Sequence, residues 1–158
     1  MRHIAIDPSM LGAKKPKPCY AFDGTFVRKI FIDQIGDVNT QMCLSMCASI
    51  DTVIIEGGFT RFYKQADGLA HARRRLCDAA LREGMRVFFL PVTTWQAGML
   101  GKKRKGICKE RSCMVASDIM TELNGTPTTI TDDNEADAIC IWEYSRRNPD
   151  LFTGKGES

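Results

Sequence analysis

The chain has 158 residues, a formal net charge of +3, and 44% hydrophobic and 26% charged residues. This balance excludes extensive disorder and predicts one globular domain over residues 1–150, followed by a flexible tail at 151–158. Without an apolar run near the ~18 residues that span a bilayer, we expect no membrane contact and a cytoplasmic location. Seven cysteines and two histidines in no zinc-binding spacing predict reduced thiols rather than disulfides or a zinc site.

Three strands open the chain. An apolar run at 2–6 predicts a short buried strand that stops at Asp7-Pro8, because proline cannot continue a ladder. Apolar runs at 19–22 and 25–32 are joined by Asp23-Gly24, which is a strong hairpin signal. We therefore expect an antiparallel meander at the start.

Helices and strands alternate after the meander. The β-branched run Val53-Ile54-Ile55 is typical of a strand buried on both faces. An apolar stripe on the helix predicted at 61–82 indicates packing either on the sheet or at a dimer seam. The other predicted elements are helices at 38–50 and about 109–123, a strand at 86–90, a helical turn at 93–100 and a last helix from Asp132 or Asp133 to about Arg146. This order predicts an α/β domain with a mixed sheet.

Acidic residues lie at matched points of this pattern. Asp7 ends the first strand and Glu56 ends the fourth, at strand ends where ligands collect in α/β sheets. Asp133 and Asp137 share one face at the start of the last helix, with Cβ atoms ~5–6 Å apart. Oxygen ligands without matched cysteine or histidine indicate Mg²⁺ or Mn²⁺, and such a site suits phosphodiester hydrolysis. Each acid alone is equally explained as a cap or as an arginine partner.

Three stretches carry a family resemblance: Ile-Ala-Ile-Asp-Pro-Ser, Val-Ile-Ile-Glu-Gly-Gly-Phe and Asp-Asn-Glu-Ala-Asp-Ala. They resemble the acidic motifs of RuvC-type Holliday junction resolvases, which act in DNA recombination and repair. The resemblance implies an RNase H-like fold with a mixed five-stranded sheet, and a homodimeric endonuclease that nicks four-way DNA junctions with Mg²⁺ or Mn²⁺. Ser9, where the family often has glycine, and a dense basic loop resemble a phage or viral branch, which would work in the host cytoplasm.

The resemblance also implies roles for individual residues. The implied catalytic metal ligands are Asp7, Glu56, Asp133 and Asp137. Asn134 stands where the bacterial pattern has an acid, so Asp133 is the preferred fourth ligand, and Asp132 stays open. Lys109 matches a lysine near the scissile phosphate, with Gln96 a weaker candidate. The implied DNA contacts are Phe59, which would stack on unpaired bases, and the basic residues Lys102, Lys103, Arg104, Lys105 and Arg111.

Three other functions compete with this interpretation. Another RNase H-like nuclease acting on RNA, RNA–DNA hybrid or forked or flap DNA would carry the same acids. An actin-like ATPase also opens with a strand and an aspartate, but 158 residues leave no room for its second domain. A non-catalytic junction-binding protein should lack at least one of the three acids Asp7, Glu56 and Asp137.

Overall fold

The computed structural model describes residues 2–8, 18–31, 49–57, 63–101 and 108–153. Several sequence predictions therefore lie outside the described residues. They are most of the helix at 38–50, the aromatic Phe59, the basic residues Lys102, Lys103, Arg104 and Lys105, and the end of the tail at 154–158.

Five strands form one mixed sheet. The strands are β1 (His3–Asp7), β2 (Cys19–Phe22), β3 (Val27–Ile30), β4 (Thr52–Gly57) and β5 (Arg86–Pro91). Their order across the sheet is β3-β2-β1-β4-β5, antiparallel from β3 to β1 and parallel from β1 to β5. The prediction of a mixed α/β sheet that begins with three antiparallel strands is confirmed.

Two strand boundaries differ from the predicted ones for local reasons. β1 continues to Asp7, which still pairs with Tyr20 of β2. β3 starts only at Val27, because the Asp23 side chain accepts hydrogen bonds from the backbone N–H groups of the two residues before it, at 2.9 Å each. These two residues belong to the turn rather than to the strand.

Four helices flank the sheet in the described ranges: α1 (Tyr63–Arg82), α2 (Val92–Leu100), α3 (Cys108–Asn124) and α4 (Asp133–Arg147). A short 3-10 helix follows at Pro149–Phe152. Its Phe152 is buried and contacts Phe88 edge-on, with ring centroids 5.6 Å apart. Phe152, assigned above to the tail, therefore packs on the body of the domain, while the Leu151 side chain is exposed. No helix of the described part combines the length and apolar character that a membrane crossing requires.

The sheet separates two apolar layers. On one face, α1 packs on the sheet through a stripe of buried residues: Ala72, Leu76, Ala79 and Ala80. Packing therefore assigns this stripe to the sheet, which periodicity alone left open against a dimer seam. On the other face lie α2, α3 and α4, whose Trp95, Ala116 and Ile139 are fully buried.

Candidate metal centre

The parallel pairing of β1 and β4 brings two acids to the same end of the sheet. Ile6 is in register with Ile55, so the next residues, Asp7 and Glu56, are neighbours. Their side chains share a hydrogen bond. A third acid, Asp137, comes from α4, which packs on β1 and carries small, fully buried residues on either side of Asp137, Ala136 and Ala138.

Charge repulsion links these acids. Asp7 is buried, and its pKa is raised well above the usual range, first by burial and then by the charges of Glu56, Asp137 and Asp133. Burial and nearby like charges both disfavour the ionised form of Asp7, whereas its hydrogen bond with Glu56 favours the ionised form of Glu56. The repulsion between these carboxylates is an electrostatic environment that favours an added positive charge.

Asp137 is the acid with an unsatisfied oxygen. Burial, together with the charges of Glu56 and Asp133, raises the pKa of Asp137 to about 6, against a hydrogen bond with Ser112 that lowers it. Its Oδ1 atom is buried and has no hydrogen-bond partner among the described residues. A buried polar oxygen without a partner is costly unless something binds it, and a cation is a suitable partner.

Glu56 is held from two sides. Trp95 donates its indole N–H to Glu56 Oε1 at 3.0 Å, and Arg73 donates its Nε–H to the Glu56 backbone oxygen at 2.8 Å. Burial raises the pKa of Glu56, whereas the Trp95 hydrogen bond, the Arg73 charge and the Asp7 hydrogen bond all act to lower it. These contacts fix the carboxylate in position at the edge of the cluster.

The sequence left undecided which acid at the start of α4 is the fourth ligand, and the structure gives these acids different contacts. Asp132 is the N-cap: its Oδ1 accepts from the backbone N–H groups of Asn134 and Glu135 at 2.9 and 3.2 Å, and its Oδ2 accepts from the Tyr20 hydroxyl at 2.8 Å. Asp133 instead forms an ion pair with Lys109, and its charge acts on Asp7. Asn134 is exposed and bonds to the cap. Asp133 is thus the one electrostatically coupled to the cluster.

The predicted basic residues of the described part lie on α3. The Lys109 side chain is 82% exposed, and the hydrogen bond and charge of Asp133 raise its pKa. Arg111 is also exposed. Gln96 lies half-buried on α2. Lys109 is therefore the predicted phosphate contact that the structure brings to the acids.

Four contacting residues were missed by sequence reasoning. Tyr20, Trp95 and Ser112 are single polar groups on otherwise apolar surfaces, so no periodicity distinguishes them. Arg73 stands in a run of three arginines, a pattern that is more often a solvated face than part of a site. The spacing of Ser112, three residues after Lys109, was the available signal that both share one helix face.

The acids fit a hard cation by donor type. Among the described residues, no three Asp, Glu, His or Cys side chains are grouped closely enough to hold an ion as they stand. Lys109 pairs with Asp133, and Trp95 bonds to one oxygen of Glu56 and leaves the second to other partners. The all-oxygen donor set and the unpartnered Asp137 Oδ1 suit Mg²⁺ or Mn²⁺, provided that the side chains turn toward a common point.

The sheet order and the flanking helices are those of the RNase H-like fold. One solved structure of RuvC from Thermus thermophilus matches 94% of this chain and 97% of its own, at 14% identity and a TM-score of 0.62. A structure of T. thermophilus RuvC in complex with a Holliday junction substrate matches 97% of both chains, at 16% identity and a TM-score of 0.67. No protein-family model and no curated protein sequence matches the chain. At these identities the likeness establishes the fold.

Proposed function

We propose that this protein is a metal-dependent endonuclease that resolves four-way DNA junctions by paired nicks. The observation that carries the proposal is the meeting of Asp7, Glu56 and Asp137 at one end of the sheet, where their charges act on one another. Three acids that come from β1, β4 and α4, one buried and two half-buried, repel one another and give the fold no stability that apolar residues would not give better. A cation-binding role accounts for their presence.

In this proposal the residues that hold the metal are Asp7, Glu56, Asp133 and Asp137. Bound Mg²⁺ or Mn²⁺ would supply an activated water and stabilise charge on the leaving 3′-oxygen of a phosphodiester. The protein's own contribution is to keep the acids in place: Ser112 bonds to Asp137, and Trp95 bonds to Glu56.

Lys109 is the proposed contact to the scissile phosphate. Its ammonium group pairs with Asp133 and is otherwise exposed, so the same group can exchange its carboxylate partner for a phosphate oxygen. Arg111, exposed on the same helix, extends the basic surface toward neighbouring phosphates. Salt would weaken both contacts, since exposed charges are screened.

Branched DNA is the proposed substrate because of the likeness to RuvC in complex with a Holliday junction. The further DNA contacts in this proposal are Phe59, Lys102, Lys103, Arg104 and Lys105. Symmetrical nicks on a four-way junction require two matching sites, so the proposal includes a homodimer. A phage or viral origin remains part of the proposal through Ser9 and the dense basic loop.

The test compares substrates, metals and two matched variants. Purified protein is incubated with labelled four-way junction, replication fork, linear duplex and RNA–DNA hybrid, each with Mg²⁺, Mn²⁺ or chelator. Asp7→Asn removes a proposed ligand. Asp51→Asn is the control, because Asp51 is exposed, pairs with Arg86 and lies at the far end of β4 from Glu56.

The proposal predicts paired nicks in the junction that need metal, persist in Asp51→Asn and disappear in Asp7→Asn. Cleavage of RNA–DNA hybrid alone would retain the site and overturn the proposed substrate. Cleavage of forks or flaps in preference to junctions would correct the selectivity. Junction binding without cleavage under any metal would overturn the proposed endonuclease activity and indicate a DNA-binding protein instead.

A further inference from the structure

Trp95 contacts the proposed metal centre without belonging to it. Its side chain is completely buried, and its indole N–H points at Glu56 Oε1 over 3.0 Å. The indole nitrogen is a donor only, because its lone pair belongs to the aromatic ring and its N–H does not ionise at ordinary pH. Its effect on the site must therefore act through Glu56.

The backbone explains why Trp95 reaches this carboxylate. In the β4–β5 pairing, Glu56 is in register with Leu90 and Gly57 with Pro91. The chain passes from β5 directly into α2 at Val92, so the first turn of α2 lies beside the end of β4. Trp95 lies in that first turn, and its side chain points back to the end of β4, where it contacts Glu56.

Packing holds the indole ring in one orientation. Trp95 belongs to the apolar layer between the sheet and α4, together with Leu90, Leu100 and Ile139. Interiors are close-packed, so a side chain without exposed surface has little freedom to rotate. By contrast, the flexible Glu56 side chain loses conformational freedom when it is fixed. A rigid donor on one carboxylate oxygen therefore reduces the conformational freedom that Glu56 would lose when a metal binds.

We propose that Trp95 is a positioning residue for divalent-metal binding, which orients the Glu56 carboxylate toward Asp7 and Asp137. The inference rests on the proposed function, because it assumes that these acids bind metal. Partners that hydrogen-bond a metal-binding carboxylate typically change metal affinity by about 10–100-fold when removed. Trp95→Phe removes the N–H and keeps an aromatic ring in the core.

The second tryptophan provides a matched control and a second reporter. The chain has two tryptophans. Trp142 is 9% exposed and packs on His3 and Phe22, with ring centroids 5.5 and 5.3 Å away. His3 begins β1 and Asp7 ends it, about 13 Å further along at ~3.3 Å per residue. Trp142→Phe therefore makes the same chemical change at the opposite end of β1 from Asp7, on a side chain that packs on other aromatic rings.

The experiment measures metal binding without measuring cleavage. Mg²⁺ is titrated into the full-length protein by calorimetry and by intrinsic tryptophan fluorescence, for the wild type, Trp95→Phe and Trp142→Phe. We expect Trp95→Phe to bind Mg²⁺ about 10-fold more weakly or worse, and Trp142→Phe to bind as the wild type does. The Trp142→Phe protein, in which Trp95 is the remaining fluorophore, should change its emission as the site fills. The Trp95→Phe protein should not.

A third protein keeps the inference testable if Trp95→Phe does not fold. Glu56→Gln in the Trp142→Phe background leaves Trp95 in place and removes the charge that it orients. Its emission should no longer respond to Mg²⁺. A response that persists would overturn the inference, because the signal would then not pass through Glu56.

The results separate the inference from the proposed function. If the wild type binds Mg²⁺ and Trp95→Phe binds it equally well, Trp95 does not position the ligand and the metal centre stands. If Trp95 emission is unchanged while calorimetry records binding, the inference fails in the same way. If calorimetry records no Mg²⁺ binding to the wild type, the metal centre itself is wrong and the inference fails with it.

Discussion

Asp137→Asn should stabilise the metal-free protein at neutral and alkaline pH. Burial, together with the charges of Glu56 and Asp133, raises the pKa of Asp137 from 3.8 to about 6. Above pH 6 the folded protein therefore holds a carboxylate that the unfolded chain would ionise more easily. Asparagine has nearly the same shape and carries no charge, so it removes this repulsion.

The sign and the size follow from linkage. Asp137 has a higher pKa in the folded state, so its protonation stabilises the folded protein, and this contribution is complete below pH 3.8. The contribution is lost as the pH rises through about 6. A difference of about two in pKa corresponds to about 3 kcal/mol. The asparagine amide must find partners of its own, so the expected gain is ~1–3 kcal/mol at pH 8 and close to zero at pH 4.

The assay is equilibrium urea unfolding in chelator at pH 4, 6 and 8, comparing wild type and Asp137→Asn. Asp51→Asn is the control with the opposite sign, because hydrogen bonds from Thr52 and Arg86 lower the pKa of Asp51. Its variant should lose a little stability at high pH. Added Mg²⁺ should stabilise the wild type and not Asp137→Asn. A variant of Asp137 that is less stable than wild type at pH 8 in chelator would refute the reasoning.

Two further substitutions test the start of α4 and the core beneath α1. Asp132→Ala should lower the free energy of unfolding by ~1–2 kcal/mol in chelator, since it removes the N-cap and the Tyr20 hydrogen bond. Asp133→Ala should chiefly weaken Mg²⁺ binding. Urea unfolding measures the first effect and calorimetry the second, and the reverse pattern would make Asp132 the fourth ligand. Leu76→Ala should lower the free energy of unfolding by ~2–5 kcal/mol, because loss of its fully buried side chain leaves a cavity. The Leu81 side chain on the same helix is 57% exposed, so Leu81→Ala should lower it far less. Equal melting temperatures for these two variants would contradict the assigned packing of α1.

The secondary structure was predictable wherever local chemistry decided it. Asp23-Gly24 marks its hairpin because Gly24 adopts φ 94°, a conformation that glycine favours. The run Val53-Ile54-Ile55 is buried on both faces, and all three residues are 0% exposed. The start of β3 was misplaced because the Asp23 side chain holds the next two residues in the turn, which an apolar run alone does not reveal.

The places of the acids in the fold were also predictable from the sequence, and their contact partners were not. Asp7 and Glu56 follow apolar strands, so their place at the sheet end is a local property of each strand. Trp95 and Ser112 approach them from helices far away in sequence, and each would be equally plausible as an ordinary core or surface residue. Only the register of β4 with β5 and the packing of α3 on α4 bring them to the acids.

Residue order by itself determined the element types, the antiparallel opening of the sheet and the acids that could share a site. These features depend on side-chain periodicity, turn chemistry and the strand ends, which are properties of short segments. Tertiary structure alone decided that the α1 stripe faces the sheet, that Asp132 caps α4 while Asp133 is coupled to the cluster, and that Trp95 holds Glu56. Each of these is a choice between partners that are distant in sequence, and only close packing of the whole domain selects among them.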